Sequence, residues 1–187
     1  DRDVFGQRGV RAAIVMEGVN DLGVMTREAE QPASVHAAMV AKIKAAYRAM
    51  AARARAHGVV LAGGTITPFV GSDYYHPGPA TEADRQAINH FIRTAGIFPV
   101  VIDFDAVLRD PAHPDRLDPR YDSGDHLHPS PTGYRAMAAA VPMSLFDAAK
   151  KRGDAVVARR AGPPRPGISR PRTSIAAHAM PILGSRR

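Results

Sequence analysis

Apolar positions along the first 149 residues follow two alternating periods, and that alternation predicts a fold class. Ala12-Ala13-Ile14-Val15-Met16 is a short unbroken apolar run, the pattern of a strand covered on both faces. Val35, Met39, Ile43, Tyr47, Met50 and Ala54 then recur every three or four residues, laying one apolar stripe along a long helix. Gly58 ends that helix, and Val59-Val60-Leu61-Ala62 begins a second buried strand that runs toward Thr67, ahead of Pro68. Thr81 reads as the N-cap of the next helix, with Glu82 and Asp84 in its first turn. Ile88, Phe91, Ile92 and Ala95 form its buried face, and Gly96 stops it. Val100-Val101-Ile102-Asp103-Phe104 predicts a third strand. Ser130-Pro131 reads as an N-cap followed by proline at the first helical position. That last helix carries Met137, Ala138 and Val141, breaks at Pro142 and resumes to Lys150.

Strand–helix repetition with short links implies an α/β protein with a parallel sheet and helices on both faces. In this class ligands bind where loops leave the carboxyl ends of the strands. No solenoid-length repeat and no second folded domain are visible, so residues 1–150 are expected to form one domain. Residues 151–187 hold Pro163, Pro164, Pro166, Pro171 and Pro181 among scattered Arg, Gly and Ser, with neither period, and are expected to be a basic disordered tail.

Charge follows the same division. The chain has a net charge of +7, but residues 1–149 hold 15 Lys and Arg against 17 Asp and Glu. Residues 150–187 hold 10 basic residues against Asp154 alone. The basic excess therefore belongs to the tail, which lacks aromatics to stack on bases, and no nucleic-acid partner is expected. With no cysteine, disulfides, thiolate metal sites and a Cys nucleophile are excluded. No apolar run approaches the ~20 residues that cross a bilayer. The first residue is Asp1 and no signal-like segment opens the chain, so the start is expected to be cut, and the compartment is not readable.

Two of the loops, each following a predicted strand, are unusually polar. The first is Glu17-Gly18-Val19-Asn20-Asp21-Leu22-Gly23, and the second is Tyr121-Asp122-Ser123-Gly124-Asp125-His126-Leu127-His128-Pro129-Ser130. Asp125 stands three residues before His128 in a turn ahead of a helix N-terminus. A carboxylate so placed orients an imidazole and stabilises the imidazolium that forms when the ring takes a proton.

These residues resemble a known family. Gly18-Val19-Asn20-Asp21 is similar to the G-x-N-D block of the SGNH (GDSL) hydrolases, and Asp125-His126-Leu127-His128-Pro129 to their terminal D-x-x-H-P block. The resemblance covers residues 4–149. It implies a three-layer α/β/α sandwich with a parallel flavodoxin-like sheet in strand order 2-1-3-4-5. It also implies a serine esterase or lipase that needs no cofactor and cleaves short acyl esters, lipids or acetylated sugars. Small or soluble esters are favoured here because no long apolar lid is evident. By position, Asn20 matches the oxyanion-binding asparagine, Asp125 the triad acid and His128 the general base. Gly18 and Asp21 are the flanking oxyanion or substrate-binding candidates, and His126 matches no catalytic role. Many relatives are secreted.

The nucleophile block departs from the pattern, because no Gly-Asp-Ser occurs in the chain. Gly6 and Gly9 are poor matches to the glycine of the second block. Ser72, in Gly71-Ser72-Asp73, reads as a loop serine, and Ser123 as a turn serine. The chain is therefore expected to be the carboxyl-terminal part of such a hydrolase, with the N-terminal strands missing, inactive alone and marginally stable. Its strands would be 3, 4 and 5, with Ala12–Met16 turned into an exposed edge. The alternatives are a non-catalytic module of the same fold and a divalent-metal site drawn from Asp122, Asp125, His126, His128 and His113. Tyr74-Tyr75-His76 reads equally as pocket lining or loop packing. Asp103 and Asp105 read as solvated strand-end acids, and Arg109, Arg116 and Arg120 as members of surface ion pairs.

Overall fold

The structure, a computed structural model, describes residues 2–151. The tail assigned to residues 151–187 lies outside them from residue 152 onward. In chain order the elements are β1 (Ala12–Val15), α1 (Val19–Thr26), α2 (Ala33–Ala56), β2 (Val60–Gly64), α3 (Pro79–Thr94), β3 (Val100–Ile102), α4 (Phe104–Leu108) and α5 (Pro131–Ala139). A last helical stretch covers 144–151. The strands form one parallel sheet in the order β1-β2-β3, with Ala12 opposite Val60 and Ala62 opposite Val100.

The sheet is flanked by helices, and β2 shows how. Leu61 joins an apolar cluster with Ile43, Tyr47, Ile88 and Ile92 from α2 and α3. Val60 and Ala62 point the other way, into a cluster with Leu108, Met137 and Leu145. Alternate residues thus serve opposite faces, as the period of two requires. Gly63 and Gly64 let aromatic rings lie on the strand, since a Cβ at Gly63 would stand 2.5 Å from the Phe98 ring and one at Gly64 2.7 Å from that of Phe104. At the outer strand β1, Ile14 is 45% and Met16 37% exposed, as an apolar edge strand should be.

Three local expectations are corrected. The segment after β1 is not a loop: Val19–Thr26 is helical, so Asn20 stands in a first turn. Gly18, at φ 114°, supplies the left-handed residue that opens this helix. The helix α3 is capped at Gly78 and starts at Pro79, not after Thr81. Proline's fixed φ suits that first position, and it frees Thr81 to be buried, where its hydroxyl donates to Thr26 Oγ1 at 3.2 Å. Finally, β3 stops at Ile102, because Asp103 turns the chain into α4 by accepting the Ala106 N–H.

Asp105 is also not a solvated acid. It is fully buried, with Arg85 Nη1 2.7 Å and Arg93 Nη2 2.6 Å from its oxygens. Arg85 is itself fully buried and contacts Glu82 at 2.7 Å and the Ile66 carbonyl at 2.9 Å. Asp103 pairs with Arg93; burial opposes its ionisation, but the Arg93, Ala106 and Thr65 hydrogen bonds outweigh that and lower its pKa. Asn89 bonds both the N–H and the C=O of Ile66, replacing a strand partner just beyond β2. On the outer side of α2 and α3, buried His36 lies 2.6 Å from Asp84 and 2.9 Å from Glu30.

Candidate active site

The chain between Asp118 and Ser130 is shaped by its own aspartates. Asp122 Oδ1 accepts the N–H groups of Gly124 and His126, while its Oδ2 meets His126 Nδ1. Asp125 repeats the device three residues on. Its Oδ1 accepts the N–H groups of Leu127 (3.0 Å) and His128 (2.8 Å) and the Ser123 hydroxyl (2.9 Å), and its Oδ2 lies 2.6 Å from His128 Nδ1. An antiparallel bridge between Asp122 and Pro129 closes the loop. Partial burial works to raise the Asp125 pKa, but these hydrogen bonds hold it well below the ordinary carboxylate range. Ser130 then caps α5 by accepting the Gly133 N–H at 3.2 Å. Gly133 must be bare, because a Cβ there would stand 2.7 Å from the Tyr121 carbonyl oxygen.

The other wall comes from α1 and the loop after β2. Tyr47, buried in α2, ties down the approach to α1: its hydroxyl donates to the Glu17 carbonyl at 2.7 Å and accepts the Glu17 N–H at 3.0 Å. Burial pushes its phenol up to about 12, so it remains a donor. The Tyr75 hydroxyl donates to Asn20 Oδ1 at 2.8 Å.

Asn20, Asp73, Tyr74, Tyr75, Asp125 and His128 meet around one pocket of about 750 Å³. With Nδ1 on Asp125, His128 presents Nε2, which has no hydrogen-bond partner among the described residues. The arrangement offers a carboxylate-oriented imidazole and an amide lining the same pocket, groups able to move a proton and to receive a developing negative charge.

Gly18 and Asp21 do not line this pocket. Gly18 is buried against Ile43 and Ile66, and Asp21 is exposed on α1. Ser72 is buried, and its Oγ accepts the Tyr74 N–H. The Ser123 hydroxyl donates to Asp125 Oδ1, and no contact between it and His128 Nε2 is present among the described residues. Asp122 and His126 face a separate pocket of about 590 Å³ with His113 and Arg116, so four of the five candidate metal ligands form two separate pairs, Asp122 with His126 and Asp125 with His128, and the fifth, His113, contacts Asp110. Among the described residues they do not gather into one metal site. Arg120 pairs with Asp118 and Arg109 with buried Asp105.

The profile of the GDSL-like lipase/acylhydrolase family matches residues 2–136. The chain belongs to that family of ester hydrolases. Two solved structures share the fold of this GDSL-family chain. A GDSL-like lipase from Bacteroides thetaiotaomicron VPI-5482 aligns at 18% identity over 72% of this chain and 62% of its own, with a TM-score of 0.53. A protein from Bacteroides fragilis NCTC 9343, assigned as an acylhydrolase, aligns at 15% identity over 74% and 62%, with a TM-score of 0.51. The GDSL-family chain thus spans about three fifths of the length of each. No match is found among curated proteins. Among the described residues no helix is long and apolar enough to cross a membrane.

The reading of the sequence missed two contacts at this site. The Asp122–His126 pair had a local signal, since Asp-x-x-x-His precedes and overlaps the Asp-x-x-His of the second pair. The Tyr75–Asn20 contact had none, because its partners stand 55 residues apart.

Proposed function

We propose that residues 1–150 carry the acid, base and one oxyanion donor of a serine ester hydrolase. The observation that carries this reading is the 2.6 Å contact between His128 Nδ1 and Asp125 Oδ2, which leaves Nε2 without a partner among the described residues on a ring that lines the same pocket as Asn20. His128 takes the proton of a serine hydroxyl as that oxygen attacks the ester carbonyl. Asp125 holds the ring's tautomer and stabilises the imidazolium. Asn20 Nδ2 donates to the oxyanion. His128 then protonates the leaving alcohol, and a water activated by the same ring releases the acid. Gly18 shapes the turn that presents Asn20, and Asp21 serves the same helix start from outside the pocket.

The serine is the missing part. The chain has no Gly-Asp-Ser, Ser72 is buried and Ser123 sits on the acid side, so the 187 residues alone are read as inactive. The same absence favours the second reading, a non-catalytic module of this fold. Two tyrosines and Asp73 around the pocket favour small, polar esters over emulsified lipid.

Fluorophosphonate labels only a serine activated by a working base and oxyanion hole. The 187-residue chain is expected to give no adduct by intact mass. An adduct lost in His128→Ala would place the nucleophile within these residues. The protein produced together with its upstream coding sequence is expected to label on a Gly-Asp-Ser serine, dependent on His128. No such block, or no labelling, would overturn the hydrolase reading in favour of the module.

A further inference from the structure

A primary amide has one end that accepts and one that donates, with nearly the same shape. An asparagine serves an oxyanion only if its NH₂ faces the reacting centre, so something must choose its orientation. Asn20 is exposed, and its side chain has one hydrogen-bond partner among the described residues, the Tyr75 hydroxyl. Tyr75 is held firmly. Its ring lies over bare Gly23, one turn along α1 from Asn20, where a Cβ would stand 2.3 Å from the ring. It packs edge-on to Phe69 at 6.3 Å and to Tyr74 at 4.7 Å. The residue as a whole is buried, and its hydroxyl reaches the Asn20 amide at 2.8 Å.

A phenol both donates and accepts, so the hydrogen bond alone leaves two orientations. The pocket decides between them. Asp73 and Asp125 line it, and an outward Asn20 carbonyl would face their negative charge, whereas an outward NH₂ is attracted by it. Burial, with help from Tyr74 and against the pull of Arg27, raises the Tyr75 pKa and keeps the phenol a donor.

We propose that Tyr75 is a positioning residue: its hydroxyl binds Asn20 Oδ1 and turns the Nδ2 hydrogens into the pocket. The proposal rests on Asn20 being the oxyanion donor, and its test does not depend on turnover. The chain contains two asparagines, Asn20 and Asn89, so ¹⁵N-asparagine labelling yields two side-chain NH₂ pairs. Asn89, fixed between the N–H and C=O of Ile66, is an internal reference. In Tyr75→Phe, which keeps the ring, the Asn20 pair should shift toward free-amide values and lose its heteronuclear NOE, while the Asn89 pair stays. In Asn20→Ala, at an exposed position, the Tyr75 ¹³Cζ resonance should shift as the hydroxyl exchanges an amide acceptor for water. An unmoved Asn20 pair in Tyr75→Phe, or an unmoved ¹³Cζ in Asn20→Ala, overturns the proposal whatever the chain hydrolyses. Both shifts, combined with a failed labelling test on the longer protein, would sustain the positioning and sink only the hydrolase reading.

Discussion

Arg85→Met tests whether a buried charge network fastens α3 to α4 and to the segment after β2. Arg85 and Asp105 are both fully buried, 2.7 Å apart, and Arg85 also binds Glu82, the Ile66 carbonyl and, at 3.4 Å, the Pro114 carbonyl. Removing one member of a buried pair costs about 3–5 kcal/mol, because the other charge is stranded. Here the lower end applies. Asp105 keeps Arg93 at 2.6 Å, and the Ile66 carbonyl keeps Asn89 at 2.8 Å. A loss of about 3 kcal/mol, with an m value near 2 kcal/mol/M, lowers the urea midpoint by about 1.5 M. The double variant Arg85→Met/Asp105→Leu removes both charges and should recover at least about 1 kcal/mol of that loss, since a well-packed apolar pair is often no worse than the buried ions. Equilibrium unfolding by urea, followed by circular dichroism, measures both. A single-variant cost below about 1 kcal/mol, or a double variant as unstable as the sum of its singles, would refute the idea that stranded charge sets the penalty.

His36 has a carboxylate at each ring nitrogen, and carboxylates only accept, so both contacts favour the imidazolium. The Asp84 hydrogen bond outweighs opposing burial, with Glu30 assisting, and raises its pKa above the ordinary 6.5. Its stabilisation is complete below pH 6.5 and fades as pH rises through the higher folded value; His36→Gln should flatten that decline in urea midpoints, and an unchanged slope would contradict it. Asp125 has the opposite sign: its contribution is present above pH 3.8 and is lost only as pH falls through its depressed folded value. A ¹³C carboxyl titration in the ordinary range would disprove the hydrogen-bonded loop. Gly23→Ala pushes a methyl into the Tyr75 ring and should cost about 1–3 kcal/mol in thermal unfolding; a neutral effect would mean that the ring is not held there. The exposed β1 edge should make the 187-residue chain marginally stable, so that Ile14→Lys slows its aggregation in light scattering; a cooperative transition above about 50 °C would count against marginal stability.

What the sequence revealed was local in origin. The Ile43–Tyr47–Ala54 stripe of α2, the buried run of β2, and the Ser130-Pro131 start of α5 each follow from one period or one cap, and each appears in the structure; the apolar run of β1 is a strand too, but an edge strand with Ile14 exposed rather than one covered on both faces. The same holds for the Asp125–His128 contact, which spans three residues. What it hid depends on distant partners. The helix α1 looked like a polar loop because two glycines and an Asn-Asp pair weaken helix propensity, and its stability comes from buried Leu22 and from Tyr75 packing on Gly23. Asp105 looked solvated because its cations, Arg85 and Arg93, stand 20 and 12 residues away.

The loop closed by Asp122 and Pro129 makes the two halves of the proposed site unequal in durability. The imidazole–carboxylate unit is assembled almost wholly from residues 122–129, as a self-sufficient cassette. The Asn20 amide, by contrast, is bonded by Tyr75 from the segment after β2, 55 residues away. If the proposed roles hold, thermal or mutational loosening of that docking would free Asn20 first and leave His128 still bonded to Asp125.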